Sequence, residues 1–421
     1  MSHASGSITA VRWGEICPWL ILVRAARVAL MLRVIALALV GVLLTHGGWT
    51  LVDRVLIDPQ FEPSLNRLSG PALTETPGAA VAIDAEAGVM VHAQTFGGPL
   101  YRGWSWAMQP FVRLIHADGP RQWVGFTVDG LWAIAVWALI GGAIARIAAL
   151  YLTQGETIGP IAALRAAFVK WPSTAGAPVV ALLGMLIIAL PLMAVGLLLR
   201  VDLFALAIGL VWALVLLGGV AIAILAIGLA LGWPLMWSTV AVERTDAFDG
   251  VSRAYAYVFQ RPLQALFYVA VAGLLGLLAQ LAVNIFVETT LSATAWAVGA
   301  GAGDDRMAEL LDPYGTTKSE KWAGGGMRFW TTALTGLAAA FPMAYLWPAA
   351  TGIYLLLRRH IDSTEMTETA FDEGTPVRGL PTLAPDAATG VPQVVNPGGT
   401  PTAGGGLTGE AGATPDGLPP T

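Results

Sequence analysis

Charge is what this sequence has least of. Only 12% of its 421 residues are Asp, Glu, Lys or Arg, whereas soluble domains carry about 25%. Hydrophobic residues make up 56% of the chain, so its surface would be too apolar for water. The net charge is −5, and no basic footprint is left for nucleic acid.

Cysteine is almost absent, and recognisable catalytic motifs are missing. The single thiol, Cys17, can form neither an intramolecular disulfide nor a Cys-rich zinc site. The five histidines are scattered, and neither a His-Glu-x-x-His nor a Gly-x-Ser-x-Gly motif occurs. The sequence therefore predicts a protein that is not an enzyme and that uses no catalytic residue, cofactor or metal.

Long apolar runs are plentiful, and they predict an all-α polytopic bundle of six transmembrane helices. The predicted spans are residues 34–51, 123–145, 178–199, 203–233, 262–286 and 329–357. A helix needs about 20 residues to cross a bilayer. The fourth run continues to Trp237, so either this helix protrudes from the bilayer or Trp233-Pro234 ends it. Five or seven spans remain alternatives.

The segments between and around the spans are more polar. Residues 1–33 are predicted to be cytoplasmic with an interfacial helix, and residues 53–121 and 288–328 to be outer loops. Within the first loop, residues 80–94 favour a small hairpin and residues 103–116 a helix flat on the outer surface. Residues 359–421 are predicted to be a cytoplasmic and largely disordered tail, because Pro, Gly, Thr and Ala dominate it.

The positions of arginine predict the orientation. Arg33, Arg146, Arg261 and Arg358-Arg359 all lie at predicted span ends that would share one side. Because basic residues are enriched on the cytoplasmic side, both chain ends are predicted to be in the cytoplasm.

Two stretches of the chain look alike. Gly141-Gly142 and Gly218-Gly219 each lie in a span that leads to an amphipathic helix and then to a proline, Pro172 or Pro262. This order predicts a parallel duplication of residues 123–199 and 203–286. Chance similarity between hydrophobic sequences is the alternative.

Polar residues within spans are costly and are therefore candidates for function. Asp129, Gln280, Asn284 and Glu288 all lie in or near the outer halves of their spans. They could line a polar pocket that is open to the outside. The alternative is that Asp129 reaches water and that Gln280 and Asn284 bond to a neighbouring helix.

The segment 245–260 is the most patterned polar stretch. Asp246 is placed to cap a helix, and Asp249 can pair with Arg253 four residues later. Together with Tyr257 and Arg261, these residues form a candidate docking surface for a cytoplasmic partner. The alternative is a helix that rests on the bilayer.

Three segments resemble parts of a family of uncharacterised bacterial polytopic membrane proteins. They are Gly141–Leu150 (GGAIARIAAL), Asp246–Pro262 (DAFDGVSRAYAYVFQRP) and Ile353–Glu368 (IYLLLRRHIDSTEMTE). The resemblance covers roughly residues 100–370. It implies a multi-pass protein of the bacterial inner membrane and supplies no catalytic or binding residues.

Two functions are compatible with these observations. The first is a non-enzymatic scaffold or membrane subunit that contacts the lipid bilayer and a membrane or cytoplasmic protein partner. The alternative is a component of a solute or ion transporter or channel.

Overall fold

The computed structural model describes residues 17–57, 98–311, 317–364, 366, 383–385 and 392–394. The hairpin predicted at residues 80–94 and most of the predicted disordered tail lie outside these ranges. The chain divides into a unit that ends at Ala370 and a second unit that begins at Phe371.

The first unit is an all-α bundle, as predicted. Its helices are α1 (Ile21–Ala29), α2 (Leu32–Val52), α3 (Gly98–Ile115), α4 (Pro120–Gln154), α5 (Pro160–Val169), α6 (Trp171–Leu198), α7 (Asp202–Leu210), α8 (Trp212–Glu243), α9 (Ala247–Gln260), α10 (Pro262–Ala302), α11 (Asp304–Leu311) and α12 (Lys318–Ile361). A 3-10 turn, Pro18–Leu20, precedes α1, and a π turn, Asp53–Ile57, follows α2. In the second unit, β1 (Leu383–Pro385) pairs antiparallel with β2 (Pro392–Val394).

Six helices of the described chain are long and apolar enough to cross a membrane. They are α2, α4, α6, α8, α10 and α12. This number confirms the prediction of six spans, and the chain is accordingly a multi-pass helical membrane protein.

Several helices extend beyond the predicted spans. α10 continues to Ala302 and α12 begins at Lys318, so much of the outer loop predicted at 288–328 is helical. No proline interrupts residues 287–302, and α10 ends only where Gly303 takes a φ of 82°, a conformation that favours glycine.

Proline inside a span does not end these helices, and at two of the prolines a side chain of another helix replaces the lost hydrogen bond. Pro234 lies inside α8, and the carbonyl of Ala230, four residues earlier, accepts a hydrogen bond from Trp104 Nε1 at 2.8 Å. Pro342 lies inside α12, and the carbonyl of Ala338 accepts one from Gln280 Nε2 at 3.4 Å. Of the two alternatives for the fourth helix, a stop at Trp233-Pro234 is therefore wrong, and the helix continues to Glu243.

The centre of the bundle is formed by α4 and α12. In their most apolar stretches, 83% and 94% of the residues are buried, against 6% in both α6 and α8. Glycines let large aromatic rings approach α4 closely. A Cβ atom at Gly141 would lie only 2.7 Å from the ring of Trp347.

Helix α1 is amphipathic, as predicted for the amino-terminal segment, but it is docked more deeply than an interfacial helix. Leu22, Ala25 and Val28 are fully buried, and Leu22 and Ala25 lie beside Gly352 of α12. Arg24 donates to the carbonyl of Tyr151 near the end of α4. The apolar face of α1 thus contacts protein at the end of the bundle.

The order of a long, a short and a long helix occurs twice, as α4–α5–α6 and as α8–α9–α10. The ends of α4 and α8, Gln154 and Glu243, are 89 residues apart. This register places Gly141-Gly142 opposite Ala230-Leu231 and not opposite Gly218-Gly219, so the glycine pairs are not equivalent. The duplication itself stays a prediction.

Replacing Gly141 with Ala should lower the melting temperature of the protein in detergent. The new methyl group would collide with Trp347, and overpacking typically costs about 1–3 kcal/mol. Gly219→Ala is the matched control, because no atom lies within 4 Å of the new Cβ. Equal effects of the two substitutions would contradict the close packing at Gly141.

Candidate functional site

Arginine side chains gather at one end of the bundle, which we call the arginine end. Arg33 donates to the carbonyl of Ile158, just before α5. Arg244 donates to the carbonyl of Ala166, within α5. Arg146 is buried and donates to the carbonyl of Ala241 at 2.9 Å. The predicted span-end arginines therefore share one end of the structure.

Glu243, the last residue of α8, is the hub of an ionic cluster at this end. Its Oε1 accepts hydrogen bonds from Tyr354 Oη at 2.7 Å and from Arg358 Nη1 at 3.0 Å. Its Oε2 lies 2.9 Å from Arg253 Nη1. One carboxylate thus connects the end of α8 to α9 and to α12.

Further polar groups surround this hub. Arg253 Nε donates to Asp249 Oδ1 at 3.0 Å, and Tyr257 donates to Asp362. We call this set the ion network; it comprises Glu243, Asp249, Arg253, Tyr257, Tyr354, Arg358 and Asp362. Its arginines and carboxylates nearly balance, as a partly buried ionic cluster requires.

Burial differs within the ion network. The side chain of Arg358 is 4% exposed and that of Glu243 17%. Burial of the Tyr257 side chain, its hydrogen bond to Asp362 and the negative charge of Asp362 all raise the pKa of Tyr257. Burial alone would lower the pKa of Arg253, but its contacts with Asp249 and Glu243 outweigh that effect and raise it.

The predicted docking residues of α9 are largely engaged within the chain. Asp246 caps the helix through Oδ1, which accepts from the backbone N–H of Asp249 at 2.9 Å, as predicted. The predicted Asp249–Arg253 pair is also present. Tyr257 is buried, whereas Arg261 is exposed at the end of the helix. Three of the five residues thus belong to the ion network.

The predicted polar membrane site is divided between two interfaces. Gln280 donates to Asn284 Oδ1 at 2.8 Å and to the carbonyl of Ala338 in α12. The alternative prediction, that Gln280 bonds to a neighbouring helix, is therefore confirmed. Asp129 is buried, and its backbone carbonyl accepts from Trp49 of α2 at 3.0 Å. Asn284 and Glu288 are exposed.

A chain of tryptophans runs through the core. Neighbouring rings are 4.8–6.1 Å apart, in the order Trp49, Trp106, Trp137, Trp347, Trp237, with Trp233 beside the last two. The indole N–H groups of Trp137, Trp233, Trp237 and Trp347 are buried, and we find no acceptor for them among the described residues. This chain links α2, α3, α4, α8 and α12.

Helix α3 enters the bundle. The prediction that residues 103–116 lie flat on the outer surface is therefore wrong. Residues of α3 contact Gly273 of α10, Ala230 of α8 and Trp137 of α4. These three positions lie 11, 13 and 17 residues from the arginine-end termini of their helices, or about 16–26 Å at 1.5 Å per residue. In a hydrocarbon core of about 30 Å, these depths extend from the middle towards the side opposite the arginine end.

The carboxyl end of α3 lies at the end of the bundle opposite the arginine end. A Cβ atom at Gly130, ten residues into α4, would lie 3.0 Å from the ring of Phe111, and Trp123 Nε1 bonds to the carbonyl of Ala117 in the connecting turn. Helix α3 therefore spans only the half of the bundle that is away from the arginine end. The sequence gives few signs of this depth, because Trp104, Trp106 and Arg102 are also what an interfacial helix contains.

The ion network was also missed in part. Arg253 and Arg358 were noticed as separate features, but their shared partner Glu243 lies more than 100 residues from Arg358 in sequence. No known protein family, curated protein or solved structure matches this chain. The resemblance to bacterial membrane proteins therefore stays a prediction.

Glu243→Gln should destabilise the protein strongly. It leaves the buried Arg358 without its carboxylate, and loss of one member of a buried pair costs about 3–5 kcal/mol. Glu309→Gln is the matched control, because Glu309 pairs with Arg306 where both side chains are 49% exposed, and such a pair contributes about 1 kcal/mol or less. Melting temperatures in detergent would measure both, and similar small shifts would argue against the hub.

The contribution of Tyr257 to the stability of the protein should decrease at alkaline pH. Because its pKa is raised above the ordinary 10.0, the folded state holds this proton more tightly than the unfolded chain does. The stabilisation is fully present below pH 10.0 and declines as the pH rises further. The stability difference between wild type and Tyr257→Phe should therefore shrink above that pH. A difference in melting temperature between the two proteins that stays constant as the pH rises would contradict this expectation.

Proposed function

We propose that this multi-pass membrane protein is a non-enzymatic scaffold or membrane subunit, and that it holds a partner through α6 and α8. The observation that carries the proposal is the contrast in burial. Only 6% of the residues are buried in the most apolar stretches of α6 and α8, whereas most are buried in α4 and α12.

The exposed part of these two helices is continuous. In α6 no residue from Leu182 to Leu198 is buried, and in α8 none from Trp212 to Ile227. The two helices contact each other, with Leu192 beside Gly218 and Leu225 beside Gly184. We call residues 182–227 the exposed hairpin.

The surface of the exposed hairpin suits another membrane helix. In a bilayer, apolar area alone does not drive helix association, but small residues let a second helix approach closely. Gly196, Gly209 and Gly219 have no atom within 4 Å of a Cβ position. A transmembrane helix of a partner would gain van der Waals contacts there that lipid chains make less well.

We further propose that the protein lies in the bacterial inner membrane with its arginine end in the cytoplasm. The gathering of Arg33, Arg146, Arg244 and Arg358 at one end supports this orientation under the positive-inside rule. The resemblance of three segments to bacterial membrane proteins supports the location. Cytoplasmic contacts would use the exposed residues of α9, such as Phe248, which is 70% exposed.

A transporter or channel component is the second candidate. It is favoured by α3, because a helix that ends at mid-depth is typical of the discontinuous helices that form transport sites. The closely packed tryptophan-rich centre favours the scaffold.

A photo-crosslinking amino acid placed in the exposed hairpin should capture a partner in the native host. We expect a discrete protein adduct from Ile187 and Leu217, which are 69% and 64% exposed. Leu43 and Leu131, on α2 and α4, are controls of similar exposure, at 51% and 49%. Only lipid adducts, or the same adducts at all four positions, would count against the scaffold.

A further inference from the structure

Arg102 lies on the part of α3 that enters the bundle. It is the fifth residue of the helix, between Gly98 and Trp106, which are one turn away on either side. Next to it, a Cβ atom at Gly103 would be 2.8 Å from the carbonyl oxygen of Pro342, near the middle of α12. The backbone of Arg102 therefore lies inside the bundle, against α12.

The charge of Arg102 has no counterpart in the described part of the chain. Its Nε atom is buried without a hydrogen-bond acceptor. We find no described carboxylate paired with it, and the first turn of α3 contains no acidic residue. The residues that α3 contacts nearby are Gly273, Leu277, Pro342 and Met343, and all of them are neutral.

The helix itself makes this local field more positive. The amino end of a helix carries a partial positive charge, so a cation in its opening turns is disfavoured and an anion is favoured. Ionisable residues inside membranes are otherwise paired or serve a function. Two sources of positive potential thus coincide at one point inside the bundle.

We infer that Arg102 and the amino end of α3 bind an oxyanion, a carboxylate or a phosphate, that carries an apolar body. The planar guanidinium donates two parallel hydrogen bonds to such groups, and a helix amino end favours them. The apolar body would lie along Leu277, which is beside Gly98 and 40% exposed. The same chemistry is offered by an acidic phospholipid and by a free amphiphilic anion.

This site does not depend on the docking proposal, because it uses none of the residues of the exposed hairpin. A scaffold could hold a structural lipid there, and a transporter could hold its solute. A failure to crosslink a partner at the exposed hairpin would not contradict the Arg102 site. Likewise, a failure of the Arg102 site in its own test would not contradict the docking proposal.

The test is the thermal stability of the full-length protein in a neutral detergent, titrated with defined probes. These are phosphatidylglycerol against phosphatidylcholine, decanoate against decanol, and inorganic phosphate. We expect acidic probes to raise the melting temperature of the wild type and neutral ones not to. In Arg102→Leu the apparent affinity for the acidic probe should fall about tenfold or more. In Arg102→Lys it should fall by less, because lysine keeps the charge but cannot donate two parallel hydrogen bonds from one plane.

The control is Arg121→Leu, which removes an exposed arginine at the outer start of α4 and should leave the titration unchanged. Stabilisation by phosphatidylglycerol alone would identify a lipid headgroup, and stabilisation by decanoate or phosphate a free anion. Without any probe, Arg102→Leu should be at least as stable as the wild type, because an unpaired charge is removed. A destabilised Arg102→Leu, no effect of any acidic probe, or equal stabilisation of wild type and Arg102→Leu would each overturn the inference.

Discussion

Inside a bilayer there is no water to satisfy a polar group, so each freed carbonyl and each charge needs a partner from the protein. Two of the prolines show how this requirement shapes the bundle. The carbonyls released by Pro234 and Pro342 accept bonds from Trp104 and Gln280, which reach across from other helices. These side chains hold α3 against α8 and α10 against α12. Polar satisfaction thus fixes how the central helices meet.

The same requirement explains the arginine end. The buried Arg358 is stable there because Glu243 supplies a carboxylate, and Glu243 also binds Arg253 of the short helix α9. One ionic cluster thus joins α8 and α9 to α12, whose Arg358 is 115 residues from Glu243 in sequence. The contrast with Arg102 is physical: both are arginines in an apolar bundle, but we find a described counter-charge only for Arg358. That difference is what points to a ligand at α3.

Packing density divides the molecule in a second way. Around α4 and α12, glycines let tryptophan rings approach the helix backbone, and the result is a dense centre. The exposed hairpin has glycines too, but beside Gly196 and Gly219 there is open space. The same residue type thus closes the core in one region and leaves a surface for another helix in the other. A scaffold needs both a rigid body and such a surface.

The sequence by itself determined the helical class, the six spans, the cap at Asp246 and the arginines at span ends, because hydropathy and capping depend on neighbouring residues. It also gave, as one of two alternatives, a bond from Gln280 to a neighbouring helix. Only the tertiary structure decided the depth of α3, the partner of Arg358 and the separation of Asp129 from Gln280. These depend on contacts between residues far apart in the chain, and a pattern such as two Trp beside an Arg is equally compatible with a membrane surface and with a membrane interior.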